Sequence, residues 1–353
     1  MNNLSHSELI RESTEAFLHG DSSHILLCEG IDDGFYSTIE GLSVKYPEQS
    51  YELPCSENAM VGMCLSASAY EVTTLVCLQR VEFALLAIEQ LINNSAKNNF
   101  LTNNQRNNPC LFRLVVGRGW GQGPSHSQSF ESLFAQIPDI NVFMPVFPND
   151  SKLIFNHFKE FSYPSISLEH RWIHYCYDTD SSAANINLSS YYVKRGKDLT
   201  IVAYSYNVLL AKAIANEFDY FNIGIEVINL FRLSEIDILP ISESIGKTGL
   251  LMILDLDDRN FSVSSDVLGK LALADSLTKL KKAPVKLANH GTYSPSSPKL
   301  SVNYYLNGLD IAEKASELLD LDSKVRDRLM QKVSTIERGV PSDVPNQSFS
   351  GPF

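Results

Sequence analysis

Short apolar runs alternate with stretches of helical spacing along most of this 353-residue chain. Ile25–Cys28, Thr74–Leu78, Leu111–Gly117, Asn141–Met144 and Ser165–Leu168 have the length and composition of buried strands. Between them, Ser56–Tyr70, Phe83–Lys97, Ser127–Gln136 and Asn149–Phe161 repeat apolar residues at three- and four-residue intervals, the spacing of one helix face. Strand and helix alternating in this way pack as βαβ units around a mainly parallel sheet. The expected fold is therefore α/β.

The pattern breaks once. Ser181–Lys197 is polar and rich in Ser and Asn, and reads as an interdomain linker. A second series follows, with strands at Leu199–Tyr204, Gly224–Leu230, Leu250–Asp255 and Pro284–Leu287. Its helices are Val208–Glu217, Val263–Ala274, Ile311–Leu319 and Ser323–Glu337. Two doubly wound domains are expected, over residues 1–190 and 198–320, with a C-terminal helix and tail over 321–353. The stretch Gly339–Phe353 holds three prolines and little periodicity, so it must dock on something or stay mobile.

Composition narrows the function classes. At 44% hydrophobic and 20% charged residues, the chain can fill two cores and is not of the disordered type. A formal net charge of -12 argues against nucleic acid and against anionic membranes as partners. The six cysteines form no CxxC pair and mostly sit in apolar runs. They read as buried free thiols of a reducing cytosol, not as disulfides or zinc ligands. The N-terminal stretch MNNLSHSELI has no basic region followed by an apolar one, so no signal peptide is expected. No run approaches the roughly 20 apolar residues of a membrane span. A cytoplasmic protein is the expectation.

Three segments stand out chemically. Gly117–Gln128 reads GRGWGQGPSHSQ, four glycines and a proline after an apolar run. Such a turn lets backbone approach a ligand closely and would put His126 at a helix entrance beside a cleft. A plain surface loop with an ordinary histidine is the alternative. No Gly-Lys-Ser/Thr follows, so this is not a P-loop. Glu57 opens a helix rich in small residues, where a carboxylate is stabilised by the helix N-terminus; simple capping is the bland reading. Phe83 lies on an amphipathic stretch, where an aromatic is usually core.

Taken together these segments resemble the beta subunits of the first components of pyruvate, branched-chain and acetoin dehydrogenases. The family pattern runs "tPxsE", then a helix with an aromatic, then "NxxAK", then a glycine-rich turn ending in "HSQ". Here the matches are LPCSE (Leu53–Glu57), FALLAIEQ (Phe83–Gln90), NSAK (Asn94–Lys97) and the ungapped Gly117–Lys152. In the second half DLTIVAYS, GIEVINL, ESIGKTG and TYSPSSPKL follow in family order.

The resemblance implies a pyrimidine-binding domain followed by a transketolase-type C-terminal domain. It implies thiamine diphosphate as cofactor, decarboxylation of a 2-oxo acid, and acyl transfer to lipoamide. It places Glu57 against the aminopyrimidine ring, Phe83 stacked on that ring and His126 toward substrate. Glu29, after the first strand, is a further candidate for the pyrimidine pocket.

Thiamine enzymes hold diphosphate and Mg²⁺ with a GDG motif and a downstream Asn. This chain has Gly20-Asp21 without the next glycine. The resemblance therefore implies a separate alpha subunit carrying diphosphate and Mg²⁺, in an α2β2 tetramer. A dihydrolipoyl acyltransferase is the further partner it suggests. Two family elements depart, at NLFRLSEID (Asn229–Asp237) and CEGIDDGF (Cys28–Phe35), which puts docking on an acyltransferase core in doubt. Two other readings stand beside the first: a thiamine-dependent carboligase subunit making acyloins or branched sugars, and a non-catalytic interaction subunit.

Overall fold

A computed structural model of the chain describes residues 4–119, 121–176, 188–257, 260–290, 293–335 and 344. The first domain is built on β1 (Ile25–Cys28), β2 (Ser50–Glu52), β3 (Thr74–Leu78), β4 (Cys110–Val116), β5 (Asn141–Phe143) and β6 (Ser165–His170). These strands form one sheet in the order β2-β1-β3-β4-β6-β5, with every neighbouring pair parallel. Every residue of β3 and β4 is buried. Continuous apolar runs are what a parallel sheet covered on both faces requires. One face packs Met60, Val61 and Cys64 of the helix Glu57–Ser68. The other packs Ile10, Phe17 and Leu18 of the helix His6–Gly20 with Ile154 and Phe155 of Pro148–His157.

The second domain contains β7 (Tyr191–Lys194), β8 (Leu199–Ala203), β9 (Ile225–Asn229), β10 (Leu251–Asp257) and β11 (Val285–Asn289). Their order is β11-β10-β8-β9-β7, parallel except for the antiparallel β7–β9 edge. Backbone bonds stitch the two domains together. Met144 N donates to Phe231 O at 2.9 Å and Leu233 N to Val142 O at 2.8 Å. Leu230, Leu233 and Ile236 join Val142 and Met144 in one apolar cluster.

Four expectations need correction. Tyr191–Lys194 is an edge strand of the second sheet, not linker; residues 181–187 lie outside the described ones. The helix expected from Ser127 begins at Glu131, because Phe130 before it is left-handed at φ 57°. Phe83–Lys97 is not one helix. It is an α-turn at Val81–Ala84, a 3-10 turn at Leu85–Ala87 and a π-helical stretch at Gln90–Ser95. The C-terminal helix, Ser323–Val333, is not separate either: Leu329 and Val333 are buried with Phe218, Ile311 and Ala315 in the second core. Most of the tail from Gly339 onward lies outside the described residues.

All six cysteines are free, four of them buried. Among the described residues, no helix is long and apolar enough to cross a membrane, and no group of three or more His, Cys, Asp or Glu could hold a metal ion.

Candidate active site at the carboxyl edge of the first sheet

In parallel α/β sheets ligands bind outside the carboxyl ends of the strands. Here the ends of β1, β2 and β3 lie side by side, with Cys28 paired to both Glu52 and Cys77. Glu29 is the next residue after β1. Glu57 is the first residue of its helix and is buried at 5% exposure. Glu29 is 3% exposed, and among the described residues its Oε1 has no hydrogen-bond partner. Burial first, then the negative Glu57 and Glu52, push the Glu29 carboxyl up to about 7. The two buried carboxyl groups are thus near enough to interact, and burial together with that negative neighbour disfavours the charge of Glu29.

Local backbone fixes Glu29 in place. Glu52 accepts hydrogen bonds from Gly30 N at 2.9 Å and Ile31 N at 2.5 Å. Gly30 is left-handed at φ +72°, and a Cβ there would lie 2.6 Å from Gln79 Nε2. Gln79 in turn donates to the Glu29 carbonyl at 3.0 Å. The chain turns sharply after β1, and Glu29 is held at the bend.

Phe83 and His126 form the second pair. Phe83 follows β3 and His126 follows β4, and their rings meet edge to face at 5.6 Å and 89°. His126 ends a short 3-10 turn at Gly123–Ser125 and is half-buried. Desolvation first, then the Arg80 guanidinium, lower its pKa from the ordinary histidine range, which favours the neutral imidazole. The helix carrying Glu57 packs against the segment carrying Phe83, which places both pairs along the same edge.

The glycines of the loop have partners other than those expected. Gly117, at φ +97°, faces the ring of His170, and a Cβ would lie 2.5 Å from its Nε2. Gly121 and Gly123, both left-handed, abut Ser296 of the second domain. Close backbone approach is indeed their role, but the approach is to protein. Sequence reasoning also missed Arg80, which is 2% exposed and holds this loop. Its only sequence signal is a cation two residues after the buried run of β3. Gly20-Asp21, the fragment of a diphosphate motif, closes a local turn: Asp21 accepts from Ser23 N at 2.8 Å and Ser23 Oγ at 2.9 Å.

Residues 3–171 match the transketolase pyrimidine-binding domain, and residues 190–311 match the transketolase C-terminal domain. The chain thus consists of these two transketolase domains in succession, which together span most of its length. Among its relatives is the acetoin:2,6-dichlorophenolindophenol oxidoreductase subunit beta of Cupriavidus necator, 26% identical over 81% of this chain and 85% of that one. The 2-oxoisovalerate dehydrogenase subunit beta of Bacillus subtilis is 26% identical over 76% and 84%. A pyruvate dehydrogenase subunit beta of Rickettsia bellii is 26% identical over 70% and 78%. The fold is also that of a split-gene transketolase solved as an inactive beta4 tetramer, at TM-score 0.70 and 18% identity, covering 90% of this chain and 99% of that one. The transketolase-like fold thus accounts for both sheets, and the curated relatives are beta subunits of 2-oxo acid dehydrogenase type.

Proposed function

We propose that this chain is the pyrimidine-binding half of a heteromeric thiamine-diphosphate-dependent enzyme that decarboxylates a 2-oxo acid in the cytoplasm and passes on the acyl group. The observation that carries this reading is the buried pair Glu29 and Glu57, with Glu29 Oε1 lacking a partner among the described residues. A buried carboxyl oxygen without a partner asks for a donor from outside the chain. An aminopyrimidine, with ring nitrogens and an amine, supplies both donor and acceptor, so the residues fit the cofactor. Glu57, Phe83 and Glu29 would hold it.

Thiamine diphosphate, when bound, supplies the nucleophilic carbon that adds to a 2-oxo group. This chain's residues do the rest of the work on this side. Glu57 holds and exchanges a proton at its carboxylate, as a general acid–base group does. Glu29, poised about neutral pH, donates or accepts at Oε1. Phe83 offers an apolar ring face. His126, neutral, can donate or accept a hydrogen bond toward substrate. Diphosphate and Mg²⁺ are assigned to an alpha subunit in an α2β2 assembly, and lipoamide on a dihydrolipoyl acyltransferase is the assigned acyl acceptor.

The test of the substrate-facing role is His126→Ala in the reconstituted α/β complex. The ring's aromatic contact is with Phe83, worth about 0.5–1.5 kcal/mol, so the melting temperature is expected to move little. The kcat/KM for the 2-oxo acid is expected to fall on the order of 10²-fold. A large fall in melting temperature with unchanged specific activity would contradict the assignment.

A further inference from the structure

We propose that Arg80 is the positioning residue for His126, clamping the loop Gly117–His126 at three points through one guanidinium. The claim rests on the reading of His126 given above. Arg80 Nη1 donates to the Gly117 carbonyl at 3.3 Å, where the loop leaves β4. Its Nη2 donates to Gln122 Oε1 in the middle of the loop and to the His126 carbonyl at the far end. The start, middle and end of the loop therefore share one cation. Gln122 Oε1 also accepts from Arg171 Nη1 at 2.9 Å, which ties the clamp to the residue after β6. Glu82, two residues beyond Arg80, accepts from Gln128 N at 2.7 Å and fixes the chain just past His126. Phe83, the residue after Glu82, meets the His126 ring edge to face. One turn of helix, Val81–Ala84 with Arg80 as its N-terminal neighbour, thus contacts the His126 carbonyl, its ring and the backbone just beyond it.

Only a planar fork fits this arrangement. A lysine ammonium carries the charge but cannot reach separate acceptors from rigidly spaced nitrogens. Arg80 also faces His126 as a buried cation, and its field adds to desolvation in keeping the imidazole neutral. The other charged group on this turn, Glu82, is directed to the Gln128 amide. Arg80 therefore has two separable effects on His126, one geometric and one electrostatic.

The two effects are separated by Arg80→Lys and Arg80→Gln, both measured in the α/β complex and by ¹³C-histidine NMR titration. The His126 resonance is assigned by its loss in His126→Ala. Arg80→Lys keeps a cation, so the His126 titration should stay below the ordinary histidine range. Its kcat/KM should nevertheless fall about tenfold to a hundredfold through misplacement of His126. Arg80→Gln should show a similar loss and, in addition, an upward shift of the His126 titration. The acid limb of the pH–kcat/KM profile should move in the same direction. A His126 titration unmoved in folded Arg80→Gln, or a wild-type kcat/KM in Arg80→Lys, would overturn the proposal. If the wild-type complex fails to decarboxylate any 2-oxo acid, the functional reading falls, and the NMR titration alone still decides the Arg80 claim.

Discussion

Glu57→Gln lowers 2-oxo acid decarboxylation by the α/β complex at least about 10²-fold, the range of a lost general acid–base group, with little change in cofactor affinity. The substitution keeps the shape of the side chain and its hydrogen-bonding reach. It removes the carboxylate that can take up and release a proton. Glu57 sits at the first position of a helix with its side chain buried, so Gln fills the same space. The Gln variant also removes a negative neighbour of Glu29, whose carboxyl is raised in part by Glu57. Steady-state rates beside calorimetric cofactor titration check the prediction. Turnover near that of the wild type would show that the catalytic carboxylate lies elsewhere.

The largest stability effect is expected at Arg113. Its side chain is fully buried in the middle of β4. Nε and Nη2 bind Glu169 Oε1 and Oε2 at 2.8 and 2.7 Å, and Nη2 also reaches Thr38 Oγ1 at 2.9 Å. Glu169 is further bonded to His174 at 3.1 Å and Ser167 at 3.2 Å. Among the opposing influences on Glu169, burial raises its pKa, but the Arg113 charge and hydrogen bonds outweigh it and hold the carboxyl well below its usual range. Arg113→Met leaves that carboxylate buried without its cation, with only the His174 and Ser167 hydrogen bonds remaining, at a cost of about 3–5 kcal/mol. The double variant Arg113→Met/Glu169→Met should recover most of the loss, because removing both charges removes the unpaired one. Denaturant melts of the two variants measure this. A single variant as stable as the wild type would mean the pair is not holding the sheet.

The contrast between what could and could not be read from the residues follows from their physics. β1 and β3 were legible at both ends, because fully covered parallel strands are uninterrupted apolar runs. β2 has two exposed residues out of three and leaves no such trace. β7 alternates weakly on an antiparallel edge and is hidden in a Ser- and Asn-rich stretch. Two further helices carry start and stop signals in the sequence. His6–Gly20 has a Ser5/Glu8 capping box, and Leu239–Thr248 has Pro240 near its start and left-handed Gly249 at its end, the usual start and stop pattern. Helical spacing over Phe83–Lys97 could not reveal the 3-10 and π turns, because segments of three and six residues are too short for a period of their own to show.

The site shows the same division. Glu57 and Glu29 flank elements that the apolar pattern located, but it was the family resemblance, not that pattern, that pointed to them as parts of one site. The contact between Phe83 and His126 depends on how two loops fold over that edge, and pattern alone does not encode it. The glycines of Gly117–Gly123 signalled close approach correctly but not its partners, since His170 and Ser296 come from distant parts of the chain.

Calorimetric titration of Mg²⁺ and thiamine diphosphate into the isolated chain, and into the chain co-purified with its alpha subunit, tests the two-chain account most directly. The predicted result is negligible heat with the isolated chain and saturable, Mg²⁺-dependent binding by the complex. Tight, Mg²⁺-dependent binding by the isolated chain would contradict it.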